Sequence, residues 1–181
     1  MGTLDQFASN FGEGQRVSQF YVSSSDTGLF GDAPFLVKSA QFPASTIGVI
    51  EVPFRGRKIK LPGDRVFNEW SLTAMLDKEN KIYDAFVTWM DQLNSHSNVE
   101  AAAADDILRQ DWTVWALAPS SSTPAAGGGG GGINPNSAII MKNCFPTEVG
   151  TVDFNWETTD TIAEFTVTIH FDYWEKAGAT T

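Results

Sequence analysis

Cysteine is almost absent: the 181 residues contain one, Cys144. A single thiol closes no intramolecular disulfide, so packing and hydrogen bonding must hold the fold. Cations are also scarce. Twelve Lys and Arg stand against 22 Asp and Glu, a formal net charge of -10. Such a surface repels phosphate backbones and anionic membranes, which disfavours nucleic-acid binding by phosphate neutralisation. There are only two histidines, His96 and His170. No stretch reaches 18 consecutive apolar residues, so no membrane-spanning helix is expected. The opening "MGTLDQFASNFGEGQR" lacks the apolar run of a secretion signal, and "MGTLDQ" lacks the Ser or Thr at its sixth position that N-myristoylation uses. These absences predict a soluble chain with no membrane anchoring. Its length suits one domain, 1–181, large enough to bury a core.

What is present reads mainly as β. Apolar and polar residues alternate in "RVSQFYV" (16–22), "FLVKSAQF" (35–42), "RKIKL" (57–61), "NEWSLTAML" (68–76), "DWTVWAL" (111–117), "TVDFNW" (151–156) and "TIAEFTVTIHFDYW" (161–174). "SAIIMKNCF" (137–145) is a further strand with weaker alternation. Turns are expected at 23–28, 61–64 and 145–150, where Gly, Pro, Ser and Asp gather. One segment follows the helical period instead. Ile82, Ala85, Phe86, Trp89, Met90 and Leu93 form a single apolar stripe, which predicts an amphipathic helix over Lys78–Asn94 packed on a sheet. Asp77 is its expected N-cap. Two stretches read as insertions, about 95–110, with a helical turn over Ala101–Leu108, and 118–136. The second holds six consecutive glycines and reads as an exposed loop. No Gly-Lys-Ser/Thr follows the glycines, so a phosphate cradle is not indicated.

The stretch most suggestive of chemistry is "VTIHFDYWE" (167–175), with His170, Asp172 and Glu175 close together. On a strand, alternate residues face opposite ways. Phe165, Val167, Ile169, Phe171 and Tyr173 then share a buried side. Glu164, Thr166, Thr168, His170 and Asp172 line the other, and Glu175 falls away from His170 and Asp172. Three metal ligands do not converge from this segment alone, and no second histidine lies nearby. A nucleophile elbow of the Gly-x-Ser-x-Gly kind is absent, and Cys144 in "IIMKNCF" reads as a core thiol.

The same polar face recurs. Trp70, Leu72, Ala74 and Leu76 leave Glu69, Ser71, Thr73, Met75 and Asp77 outward. Val152, Phe154 and Trp156 leave Thr151, Asp153, Asn155 and Glu157 outward. A merely solvated sheet usually mixes charge signs, whereas these faces hold almost no Lys or Arg. The cations gather instead in "PFRGRKIKLPGDR" (53–65), with Arg55, Arg57, Lys58, Lys60 and Arg65. A basic hairpin opposite an acidic surface suits head-to-tail self-association, and equally a plain exposed hairpin. Six Trp residues could also serve a carbohydrate-binding β-sandwich, although Trp70, Trp89 and Trp156 fall on faces expected to be buried.

The hairpin "R-K-I…P-G-D-R-x-F-x-x-W", the helix "F-V-x-W", the turn "F-P-T-x-V-G" and the terminal "F-x-V-T…D-Y-W-E" resemble, in order and spacing, the tail tube proteins of contractile-tailed phages of the T-even type. The resemblance runs from about "FYV" onward and leaves out 95–136. It implies a β-sandwich or barrel subunit with one helix, six copies closing into a ring, and rings stacking into a hollow tube. It implies no catalysis and no cofactor. The partners it implies are further copies, the tape-measure protein, the sheath, the baseplate and tube-terminating proteins, with DNA in transit through the lumen. The setting is the virion tail, after assembly in the host cytoplasm. The inner tube of a phage-derived contractile injection system is a neighbouring reading. Joined to the residue patterns, the resemblance nominates Glu69, Asp77, Asp153, Glu157, Glu164 and Asp172 for the lumen. Arg55, Arg57, Lys58, Lys60, Asp64 and Arg65 are nominated for ring stacking.

Overall fold

The computed structural model describes residues 4, 6, 15–31, 36–94, 109–117, 138–157 and 159–177. Within them the elements run β1 (Phe20–Ser24), α1 (Thr27–Phe30), β2 (Val37–Ala40), β3 (Ser45–Phe54), β4 (Arg57–Phe67), β5 (Trp70–Met75), α2 (Lys81–Leu93), β6 (Gln110–Ala116), β7 (Ala138–Val149), β8 (Glu164–His170) and β9 (Tyr173–Lys176). Seven strands make one antiparallel sheet in the order β1-β6-β7-β8-β5-β2, with β9 also beside β7. The mainly-β architecture with one long amphipathic helix agrees with the alternation in the sequence. Among the described residues the sheet is not closed into a barrel within one copy: β1 and β2 stand at its two ends.

Strand β7 is the spine. Its first half pairs with β6 and β9, and its second half, from Phe145, pairs with β8. The change of partner coincides with a left-handed residue, Asn143 at φ 57°, where the register against β6 shifts. Asparagine tolerates that conformation better than any branched residue, and the bulge it forms bends the strand.

The inner face of the sheet and α2 make one core. Trp70, Leu72 and Ala74 of β5, Phe165, Val167 and Ile169 of β8, Trp112 and Val114 of β6, and Met141 and Cys144 of β7 are all buried. Helix α2 turns Ile82, Ala85, Phe86 and Trp89 onto them. Trp112 stacks against both Phe86 (5.8 Å, 20°) and Trp89 (6.3 Å, 15°). Phe30 of α1 meets Trp112 edge-on at 5.2 Å. The Asp26 carboxylate caps α1 by accepting from the Gly28 and Leu29 amides.

Several boundaries differ from those the sequence predicts. The helix starts at Lys81 with Asn80, not Asp77, at its cap: the Asp77 carbonyl accepts the Asn80 amide in a preceding turn. Residues 145–149, expected as a turn, continue β7, because a register shift after Pro146 absorbs the proline without ending the ladder. Gln110 belongs to β6 rather than to an insertion. Residues 151–156 form no strand. The Gly150 amide takes the Thr166 carbonyl, and the chain then leaves the sheet. Phe154 and Trp156, expected inside, are therefore 79% and 100% exposed. The long strand over 161–174 breaks after His170, where the Asp172 amide bonds the Lys142 carbonyl, and Tyr173 emerges 45% exposed. Strand β3, absent from the alternating segments, is ten residues long. The turn over Ala101–Leu108, His96 and the glycine run lie outside the described residues.

Truncating Phe86 to Ala should destabilise the fold by about 3–5 kcal/mol, as for other large aromatic truncations in packed cores. The exposed-face control Thr88→Ala should stay within about 0.5 kcal/mol. Urea unfolding followed by circular dichroism distinguishes the two outcomes.

Candidate functional site

Two surfaces stand out: a projecting ribbon and the outer face of the sheet. Among the described residues, strands β3 and β4 pair only with each other, from Ser45↔Phe67 to Phe54↔Arg57. The two-residue turn between them, Arg55–Gly56, has φ of 45° and 79°. Positive φ at both positions is what a type I′ turn requires. Val52 opposes Ile59 and Ile50 opposes Leu61, so one side of the ribbon is apolar. Glu51 opposes Lys60, and Lys58 pairs with Glu51 at 2.5 Å, so the other side is charged. Both sides are open to solvent, with Phe54 60% and Ile50 54% exposed. A two-stranded hairpin is marginal in water by itself, and its apolar side needs a cover.

The ribbon carries all six residues nominated for stacking. Arg55 lies over the Phe54 ring at 5.4 Å. Among the described residues no ion pair engages Arg57, Lys60, Asp64 or Arg65. The sequence pattern reveals the cations but not the apolar half in β3. The signal is present in "TIGVIEVPF" (46–54), where Gly48 and Pro53 interrupt the alternation.

The outer face of β5 and β8 carries Ser71, Thr73, Thr166 and Thr168, in register as Ser71↔Thr168 and Thr73↔Thr166. Glu164 and Glu69 sit at opposite ends of it. Each has a counterpart that the strand patterns do not show: Lys38 pairs with Glu164, and the His170 Nε2 lies 3.4 Å from Glu69. The ring of His170 also stacks on Phe145 at 6.0 Å. The remaining nominated carboxylates do not share this strand face. Asp77 lies beyond the end of β5, and Asp153 and Glu157 lie in the irregular connection. Asp172 sits in the bend after β8, where it accepts from Asn143 Nδ2 at 2.8 Å and Arg109 at 3.3 Å.

His170 and Asp172 therefore turn to different partners, as the bend separates them. Among the described residues no three His, Cys, Asp or Glu side chains gather as metal ligands. Cys144 is fully buried, and its thiol contacts the Met141 carbonyl at 3.5 Å. Burial pushes that thiol up to about 12. Trp70, Trp89 and Trp112 are buried, so Trp156 is the one fully exposed indole among the described residues. A cavity of about 230 Å³ lies where β1 and the end of β2 approach, lined by Gln19, Phe20, Gln41, Phe42 and Trp115 among others.

Among the described residues the ribbon is thus uncovered and the sheet open-edged. The sequence profile of the family described as phage tail tube protein matches residues 5–177. The chain belongs to the phage tail tube family. It is 28% identical over 141 residues to tail tube protein gp19 of Enterobacteria phage T4, covering 78% of this chain and 80% of that one. The same figures hold for gp19 of Enterobacteria phage T6. Among solved structures it is similar to a chain of the PVC sheath-tube complex, an extracellular contractile injection system in its extended state. That match has a TM-score of 0.62 at 18% identity, covering 97% of both chains. A chain of the anti-feeding prophage tube-terminating cap matches with a TM-score of 0.59 at 19% identity, covering 90% and 91%. This tail tube protein thus has a structural role, with the fold shared by those chains.

Cys144 gives a direct check on core integrity. The native thiol should resist an aromatic disulfide reagent at pH 8 and react at once in urea. The sign for stability follows from the raised value. Between the ordinary 9.0 and about 12 the folded chain keeps a proton that the unfolded chain loses. This site's contribution should therefore decline as pH rises through that window, and Cys144→Ala should flatten that part of the profile.

Proposed function

We propose that six copies close into a ring and that rings stack into the hollow inner tube of a contractile tail. The open ends of the sheet support ring closure, because the edges of β1 and β2, unpaired among the described residues, are satisfied when neighbouring copies extend the sheet. The ribbon supports stacking. Arg55, Arg57, Lys58, Lys60, Asp64 and Arg65 reach an adjoining copy together with the apolar side of β3–β4. This ribbon, exposed along nearly all of its length beyond its base, is the observation that carries the reading.

The lumen is lined by the outer face of β5 and β8, with Ser71, Thr73, Thr166 and Thr168 between Glu69 and Glu164. Asp77 and Asp172 extend it at the strand ends. The face is polar and has no surplus of cations to hold a passing polyanion, and the chain as a whole carries -10. The tape-measure protein fills the tube before DNA passes, and the sheath, baseplate and terminator proteins bound it. The protein acts in the virion tail after assembly in the host cytoplasm, without catalysis, cofactor or membrane anchor. The tube of an injection system is the second reading, favoured by the end-to-end match to the PVC tube chain; capsid and terminase genes beside this one would decide for a phage.

Negative-stain electron microscopy with light scattering tests the assembly. The purified chain should form sixfold rings or hollow tubes. Replacing residues 48–63 by a two-residue turn should leave a folded subunit that forms no stacks. Stacks of the shortened chain as long as those of the intact one would refute the role of the ribbon.

A further inference from the structure

We infer that the acidic, aromatic connection formed by residues 150–157 and 159–163 is the seat that receives the β3–β4 ribbon of a second copy. This rests on the stacking reading above and names its receptor.

The first argument is position. The ribbon leaves the sheet at the end where Trp70 pairs with Ile169, its two legs joined at the base by the Asn68 amide donating to the Ala44 carbonyl. The connection is anchored at the opposite end, where Met75 pairs with Glu164. The Gly150 amide bonds the Thr166 carbonyl at 2.7 Å, and the Leu76 amide bonds the Ala163 carbonyl at 2.9 Å. At Gly150 a Cβ would stand 2.8 Å from the Thr166 carbonyl oxygen, so only glycine allows this close approach. Ribbon and connection thus occupy opposite poles of β5. Two different surfaces at opposite poles make a heterologous contact, which propagates into an open stack rather than a closed pair.

The second argument is charge. Arg57, Lys60 and Arg65 on the ribbon have no ion-pair partner, and neither do Asp153, Glu157 and Asp160 in the connection, among the described residues. The connection contains no Lys or Arg. Arg55 is likewise outside any ion pair among the described residues, so the ribbon pole sets four such cations against one unpaired carboxylate, Asp64. Its net positive charge answers three free carboxylates at the other pole, which orients the approach and disfavours like-pole contact.

The third argument is apolar area. Phe154, Trp156 and Ile162 are 79%, 100% and 62% exposed in the connection. On the ribbon Val52, Phe54 and Ile59 are 42%, 60% and 54% exposed. Exposed aromatic and branched residues, rimmed by charge on both surfaces, are what the centre and rim of an interface require. Among the described residues of one copy, nothing covers either set.

Charge exchange tests the pairing. Arg57→Glu with Lys60→Glu reverses the ribbon, and Asp153→Lys with Glu157→Lys reverses the seat. All four positions are exposed, and circular dichroism should match the unaltered chain. Each reversed pair should raise the concentration needed for stacking at least tenfold, read by light scattering and electron microscopy. All four changes in one chain should restore stacking to within about threefold of the unaltered protein, because the exchanged charges again meet. Trp156→Gln, at a fully exposed position, should independently weaken stacking by a similar factor. Reversed pairs that stack normally, or a fourfold variant no better than either pair, would overturn the seat while leaving stacking by the ribbon intact. An unaltered chain that never stacks would overturn both.

Discussion

Apolar side chains on a β-strand have to be covered, and the described residues of one copy cover only one set of them. The inner face of the sheet is closed by α2 and α1, which bring Phe86, Trp89 and Phe30 onto Trp112. The ribbon also sets apolar side chains on one side, yet no described helix lies over it. Stacking as proposed above accounts for that difference. The aromatic core gives each copy its own fold, and on that proposal the ribbon gains its stability from assembly, so subunit folding and tube growth are separate steps. The exposed apolar area also makes the charges important. Without Arg57, Lys60 and Arg65 around it, the ribbon would be open to edge-to-edge aggregation.

The outer face of β5 and β8 shows the opposite treatment. Threonine and serine fill its centre, and its two carboxylates are each met by a cation or an imidazole across a neighbouring strand. Such exposed pairs add little stability, on the order of 0–1 kcal/mol each. What they set is the character of the surface, wet and without strongly adhesive charge of either sign. The chain's surplus of acid lies more at the pole with Asp153, Glu157 and Asp160 than on this face.

Period-two alternation makes β1, β2, β5, β6 and β8 legible in the sequence, and the 3.6-residue stripe does the same for α2. Both signals record which side chains meet the core. Where alternation does not lead to the core, it misleads. "TVDFNW" alternates as cleanly as "NEWSLTAML", yet it joins no strand ladder among the described residues and turns Phe154 and Trp156 outward. Strand β3 is hidden for a related reason: Gly48 and Pro53 break a pattern whose apolar members are exposed in one copy. The strand end at His170 depends on the Asp172 amide reaching β7, a long-range bond with no local trace. The site is half legible, since the cations of the ribbon are contiguous in sequence, whereas the carboxylates proposed to face them belong to another part of the chain.

Hydrogen exchange of the backbone amides, compared between dilute subunits and assembled tubes, tests the central claim most directly. The amides of β5, β6 and β8 should be protected in both states, because their core is internal. Residues 45–67 and 150–163 should exchange rapidly in the dilute subunit and become protected together on assembly. Equal exchange of the ribbon in both states would contradict the account, since a second copy would then not be what covers it.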